Sequence, residues 1–435
     1  MKKLITILLV AVLLVNCVAL AACNPSQGAN DPNTIKIWWP GGSQALEDAI
    51  EKAKELYEAE HDGITIDIKT QSTNDFYESY TMALMGKDFP DIAFVDHVFV
   101  QRLAFDGFTA NLSELGVDDV KDQFIDSLWK TTQYQGSTYA LPMSANVLTM
   151  AYNQALLSKV LGREFTAEDY PSNWEEFLAL GEKIDAYNKA NNLTGNDKLY
   201  LTTVPAGTGA ESMGAMFFMS YSAREGGTLM NDDLTAMTLS SEANMRAATK
   251  IKQLGDLGYT PTTFSESGFE TGRIAFIEMG PWKMTDYARI SEANENVDIR
   301  YSNVIPMTEG GSAQGALGLY SLVVTKKSTK AQIAADFVKF LTTNTEIQLM
   351  HNTVQNLMPT TKVALEDDFY KTDDWKVFID QLNTNVARPG SAAWPTIENS
   401  LAQFVTELVQ NGANGNPEYL VAIEIQLDEI LEDLV

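Results

Sequence analysis

Few residues of this chain are arranged for covalent or metal chemistry. His61, His97 and His351 stand singly, with no HExxH run and no pair at ligand spacing, so no metal site is expected. No G-x-S-x-G elbow, Walker loop or dinucleotide fingerprint occurs, and no cofactor is expected. What remains is a set of aromatic and acidic residues at the ends of extended apolar runs. Trp38 and Trp39 end "TIKIWW", Asp96 and His97 follow "PDIAFV", and Trp282 follows "RIAFIEM" across Gly280-Pro281. Flat rings beside carboxylates suit reversible binding, the rings supplying contact area at low entropy cost and the carboxylates accepting hydrogen bonds. A glycoside hydrolase would need only two suitably separated carboxylates. With 58 acidic residues some such pair is certain, so that feature does not discriminate.

The elements that must hold these residues read as α/β. "TIKIWW" is a buried strand, "PGG" a turn, and Ser43 the cap of a helix with Leu46, Ala49, Ile50, Ala53 and Tyr57 at helical spacing. "ITIDIKT" alternates as a second strand, and "PDIAFVD" follows a helical stretch from Asp75 to Met85 as a third. Strand, helix, strand makes a right-handed parallel βαβ unit. Ligands of open parallel sheets sit beyond the carboxyl ends of the strands, which is where Trp39 and Asp96 fall. Each has a second reading: both tryptophans as core, Asp96 as a helix N-cap. Further on, Asn173 and Glu176 have capping-box spacing, Ser328 or Thr329 can cap a helix carrying Ile333, Phe337, Phe340 and Leu341, and residues 417–434 form a last amphipathic helix. Trp174 reads as structural.

The N-terminus has Lys2 and Lys3, an apolar centre from Leu4 to Val15, and small residues before Cys23. That is the layout of a cleaved leader, residues 1–22. Leu20-Ala21-Ala22-Cys23 resembles the lipobox of bacterial lipoproteins. The resemblance implies a lipidated Cys23 and attachment to the outer face of the cytoplasmic membrane by the lipid anchor only; "NPSQGANDPN", rich in Pro, Gly, Asn and Ser without apolar periodicity, makes residues 23–33 a flexible lipidated tether. Losing the leader's two lysines takes the formal net charge from −27 to −29, and with Cys17 removed too no disulfide is left to form. Such acidity excludes nucleic acid, which needs clustered Lys and Arg. The length favours two domains over one.

Five blocks in order, "GKDFPDIAFVDHVFVQRLAFDGFTANLSEL", "YALPMSANVLTMAYNQALL", "NWEEFLALGEKI", "FETGRIAFIEMGPWKM" and "LYSLVVTKKSTKAQIAADFVKFLTTNTEIQ", resemble the family 1 extracellular solute-binding proteins, the maltose-binding-protein-like receptors of ABC sugar importers. The resemblance implies a type II periplasmic-binding-protein-like fold of two α/β lobes with ligand in the cleft between them. Lobe 1 is expected over 34–143 and 303–345, lobe 2 over 144–302 and 346–435. The implied function is capture of a sugar or oligosaccharide by hinge closure and delivery to ABC permease subunits, by a monomer that is not an enzyme. A polyamine receptor is the other binding reading, and a surface glycoside hydrolase the reading outside that class. Trp282 and Trp394 match tryptophans that contact sugar in the family's maltose receptor. Asn146 falls where that receptor has a sugar-binding carboxylate. Trp39, Asp96, Glu211, Tyr320 and Arg388 complete the expected ligand-binding set.

Overall fold

The structure is a computed structural model that describes residues 32–71, 76–382 and 384–434, without the side chain of Glu211. The expected leader, Cys23 and all but the last two residues of the tether lie outside the described residues.

The first sheet is built as the sequence pattern suggests. β1 (Thr34–Pro40) leads to a helix, Gln44–Glu60, whose Ser43 cap accepts from the Leu46 N–H and whose buried face is Leu46, Ala49, Ile50, Ala53 and Tyr57. β2 (Thr65–Gln71) pairs with β1 in parallel, Ile37 beside Ile68. A helix over Phe76–Met85 then returns the chain to β3 (Ile92–Asp96) on the other side of β1. Apolar residues on both faces of β1 and β3 are buried, as expected of strands covered on two sides. After a short hairpin of β4 (Gln133–Tyr134) and β5 (Ser137–Thr138), β6 (Ala140–Val147) completes this part of the chain.

Only Leu148 separates β6 from β7 (Thr149–Asn153), yet the two belong to different sheets. The second sheet runs β10–β7–β9–β8, with β8 at Tyr200–Thr202, β9 at Ile274–Met279 and β10 at Ile299–Ser302. β11 (Ala316–Val324) brings the chain back to the first sheet, whose order is β12–β6–β11–β3–β1–β2. β12 is Met358–Pro359, and β13 (Val386–Ala387) pairs with the start of β11. The crossings are stitched by one side chain. Asn385 Oδ1 accepts from Gly315 N at 2.6 Å, while its Nδ2 donates to Leu148 O at 3.3 Å and Ala316 O at 3.4 Å. A Cβ at Gly315 would lie 2.4 Å from Leu148 O, so the crossing strands approach this closely only with glycine there.

Sheet membership departs from the expected division in two places. The boundary at 144 falls inside β6. Residues 346–387, expected in lobe 2, attach to the first sheet: Ile347 is buried in the core that holds Ile35, and Met358 pairs with Ala145. Helical periodicity shows which face is buried but not which sheet buries it. The chain joins the second core at Ala393, through the helix Trp394–Gln410 and the helix Leu420–Glu432. Trp174 is core, its Nε1 donating to Gln253. Asn173 accepts from Glu176 N at 3.0 Å, but Glu176 reaches back to Ser172 N, so the expected box closes one residue early. Lys330, the N-cap of the helix Ala331–Thr343, makes no side-chain cap bond; Ser328 Oγ, two residues ahead, accepts from Lys330 N at 3.0 Å and donates to Asp91. No described helix is long and apolar enough to cross a membrane.

Candidate ligand-binding cleft

Two adjoining cavities, of about 610 and 310 Å³, share Phe94, Asp96, Ser212, Met213, Tyr320 and Arg388. Phe94, Asp96 and Tyr320 come from the first sheet, Ser212 and Met213 from the helix Glu211–Arg224 on the second core, and Arg388 from the connection just past β13. The cleft is thus walled by both lobes and floored by the segment that joins them. A third hollow of about 730 Å³ lies against Arg388, Gln101 and Leu431, without the carboxyl end of β3.

Asp96 has two tasks because it is the last residue of β3. Its Oδ1 accepts from Val98 N at 3.4 Å, capping the turn that follows, and its oxygens accept from Arg388 Nη2 at 2.7 and 2.8 Å. His97 Nδ1 lies 3.0 Å away on the same carboxylate. Burial works against the Asp96 charge, but Arg388, followed by His97, outweighs it and holds the carboxyl far below the usual range. Arg388 also faces Glu398, at 3.7 Å, and its Nε has no partner among the described residues. Burial raises the Glu398 pKa, with Arg388 opposing. Tyr320 pairs with Asp96 across the sheet and stacks on Phe94, centroids 5.2 Å apart; burial and the Asp96 charge push its hydroxyl up to about 12. In the larger cavity Tyr77 and Phe99 stack at 4.0 Å.

Asn146, Trp282, Gln355 and Met216 line the smaller cavity. Its geometry depends on two glycines. A Cβ at Gly280 would lie 1.8 Å from Trp282 Cζ3, so the indole folds directly over its own turn. The next residue, Lys283, anchors that turn through an ion pair with Glu266. A Cβ at Gly318 would lie 2.3 Å from Asn146 Oδ1; glycine on β11 is what leaves room for the amide on β6. The Asn146 side chain makes no hydrogen bond to a described residue. Rings, one clamped guanidinium and open amides can hold a polar ligand reversibly. Among the described residues no three His, Cys, Asp or Glu side chains gather as a metal site.

The structure therefore brings together Asp96, Asn146, Trp282, Tyr320 and Arg388 of the expected set. It does not bring in Trp39 or Trp394. Trp39 is fully buried, donating to Leu46 O at 3.2 Å with its ring against Phe94 and His351. Trp394 is also fully buried in the second core and reaches the site through its Nε1 bond to Glu398 at 3.4 Å. Trp38 packs on Phe76 one layer behind the cleft. Glu211 begins the helix Glu211–Arg224, and its side chain is outside the described residues. Sequence reasoning missed Glu398, Tyr77, Ser212, Met213 and Gln355. Glu398 had a signal: it lies four residues past Trp394, one helical turn along a block already singled out. Gln355 had none.

Residues 52–378 match the family model of the bacterial extracellular solute-binding proteins. The chain is 25% identical over 142 residues to a putative binding protein of Brucella abortus (strain 2308), spanning a third of that relative's length and a third of its own. It is 22% identical over 315 residues to the maltotriose-binding protein of Pyrococcus abyssi (strain GE5 / Orsay), 71% of this chain and 63% of that one. The crystal structure of the cyclic alpha-maltosyl-1,6-maltose binding protein from Arthrobacter globiformis superposes with a TM-score of 0.77 at 21% identity, covering 93% of this chain and all of that one. At that identity the likeness is one of fold, the same pair of α/β lobes. The family match over three quarters of the sequence and the two-lobed fold agree: the chain belongs to the bacterial extracellular solute-binding proteins.

Proposed function

We propose that this chain captures a sugar or oligosaccharide outside the cell and delivers it to the permease of an ABC importer, acting as a receptor and not as an enzyme. The observation that carries the reading is the convergence of Asp96, Tyr320, Trp282, Asn146 and Arg388, drawn from both lobes and their connection, on one cleft. Sugar rings offer apolar C–H faces to Trp282 and hydroxyl edges to the amides and carboxylates. Following the sheets and cores, we assign residues 34–147 and 316–387 to one lobe and 149–302 and 393–434 to the other. Ligand touching both favours their approach about the Leu148, Gly315 and Asn385 crossing. For ligand to move that equilibrium from 1:99 to 99:1 it must bind the closed form about 5.5 kcal/mol more tightly. Lipidated Cys23 then keeps the receptor, a monomer, beside its permease, each buried CH₂ contributing about 0.8 kcal/mol.

One observation favours a second reading. The larger cavity has Glu78, Asp96 and Glu398 against the single cation Arg388, together with stacked aromatics, which suits a polyamine. Melting the protein with maltose, maltotriose and putrescine separates the two. A ligand at 100 times its Kd adds about 2.7 kcal/mol of stability. Stabilisation by a sugar, recovered intact after denaturation, supports the receptor; stabilisation by putrescine alone transfers the assignment to polyamines, and cleaved sugar makes the chain a hydrolase.

A further inference from the structure

Gln355 lies between the helix Thr345–Thr353 and β12, on the wall of the smaller cavity with Asn146 and Trp282. Its side-chain nitrogen is 3.0 Å from the backbone oxygen of His351 and 3.1 Å from His351 Nε2. A backbone oxygen only accepts, so the amide atom beside it must be the NH₂ group. That group has two hydrogens and two partners. Its second partner, Nε2, must therefore be the accepting, unprotonated nitrogen of the ring, which places the His351 proton on Nδ1. Nδ1 is buried without a partner among the described residues. Burial pushes the His351 pKa down to about 3, so the ring stays neutral, and the rings of Trp39 at 4.8 Å and Phe94 at 5.8 Å set its plane. With both hydrogens of Gln355 committed, only Oε1 is left to the cavity, and it has no hydrogen bond to a described residue.

We propose that Gln355 is a specificity-determining residue of the cleft, positioned by the His351 tautomer so that it offers ligand an accepting oxygen and no donor, and that it selects a hydroxyl. This rests on the sugar-binding reading. Asn146 on the same cavity keeps donors and an acceptor free, so the two amides are not equivalent: one adapts, the other dictates. A ligand carboxylate or phosphate placed at Gln355 would set oxygen against oxygen with no proton between them, and the site disfavours it. A hydroxyl supplies the missing proton.

Two measurements on the full chain test this. Nitrogen NMR of ¹⁵N-histidine-labelled protein without ligand should show a neutral His351 ring protonated at Nδ1 and bare at Nε2. A proton on Nε2 overturns the proposal whatever the ligand is. Titration of the folded protein with maltotriose should be about tenfold weaker for Gln355→Leu than for the unaltered chain, alongside a lowered melting temperature because the buried His351 Nε2 loses its donor. Gln355→Glu, which has no NH₂, should shift the His351 proton to Nε2 in the same spectrum. Unchanged affinity in Gln355→Leu overturns the selecting role. An unaltered chain that binds neither maltose nor maltotriose while showing the Nδ1 tautomer would count against the sugar reading and its hydroxyl, and would leave the pairing of His351 with Gln355 supported.

Discussion

The molecule holds two buried arginines that look alike in sequence and behave differently in place. Arg224, inside the second lobe, donates to Glu278 at 2.5 Å, to Ser220 O at 3.2 Å, to Ile305 O at 3.0 Å and to Ser220 Oγ at 3.1 Å. Its side chain and that of Glu278 are 1% and 2% exposed. Nothing in that arrangement is left to offer a ligand. Arg388 faces two carboxylates, binds Asp96 closely and Glu398 loosely, and has an Nε without a partner among the described residues. Asp96 and Glu398 are 24% and 17% exposed. A satisfied buried pair is a structural part; an unevenly shared one at a cleft can redistribute when ligand arrives.

Breaking each pair in turn is the strongest challenge to that distinction. Arg224→Met strands Glu278 in the core and should cost about 3–5 kcal/mol of stability by denaturant titration. The affinity of the surviving folded protein should not change. Arg388→Met leaves carboxylates that water can reach, so its stability cost should be smaller, about 1–3 kcal/mol, while sugar binding weakens. Equal stability losses with binding intact in both would make Arg388 as structural as Arg224.

A smaller effect separates His351, sealed like Arg224, from groups that can ionise in place. Its pKa falls from 6.5 to about 3 through burial, so between those values the unfolded chain takes a proton that the folded chain refuses. Stability should therefore be full above pH 6.5 and fall by about 1.4 kcal/mol per pH unit as acid is added below it. His97, lowered first by burial, acts in the same direction. His351→Gln should reduce the slope of stability against pH by about one proton; an unchanged slope would mean that His351 does not set it.

The legibility of this chain in its sequence divides along the same line. Strands, caps and the α/β class followed from local pattern: the Ser43 cap, the pairing of β1 with β2, and Asp96 at a strand end doing double duty as cap and cleft wall. Trp282 was legible because a Gly-Pro turn after a strand has few places to send a ring. Trp39 and Trp394 were misplaced because a large aromatic is equally suited to a core and to a sugar face, and local sequence does not say which layer lies over it. Residues 346–387 went to the wrong sheet for the same reason, and the His351–Gln355 pair was invisible because its meaning lies in a hydrogen-bond count. Long-range packing decided each of these.

The partition between cleft and core is tested most directly by titrating maltotriose into Trp282→Ala and Trp394→Ala and melting both. For Trp282→Ala affinity should weaken by about 1–3 kcal/mol, the range known for bases stacked on aromatic side chains, with little change in melting. For Trp394→Ala stability should fall by about 3–5 kcal/mol while affinity in the folded fraction stays nearly normal. The reverse pattern, with Trp394 governing affinity and Trp282 governing only stability, would overturn that partition.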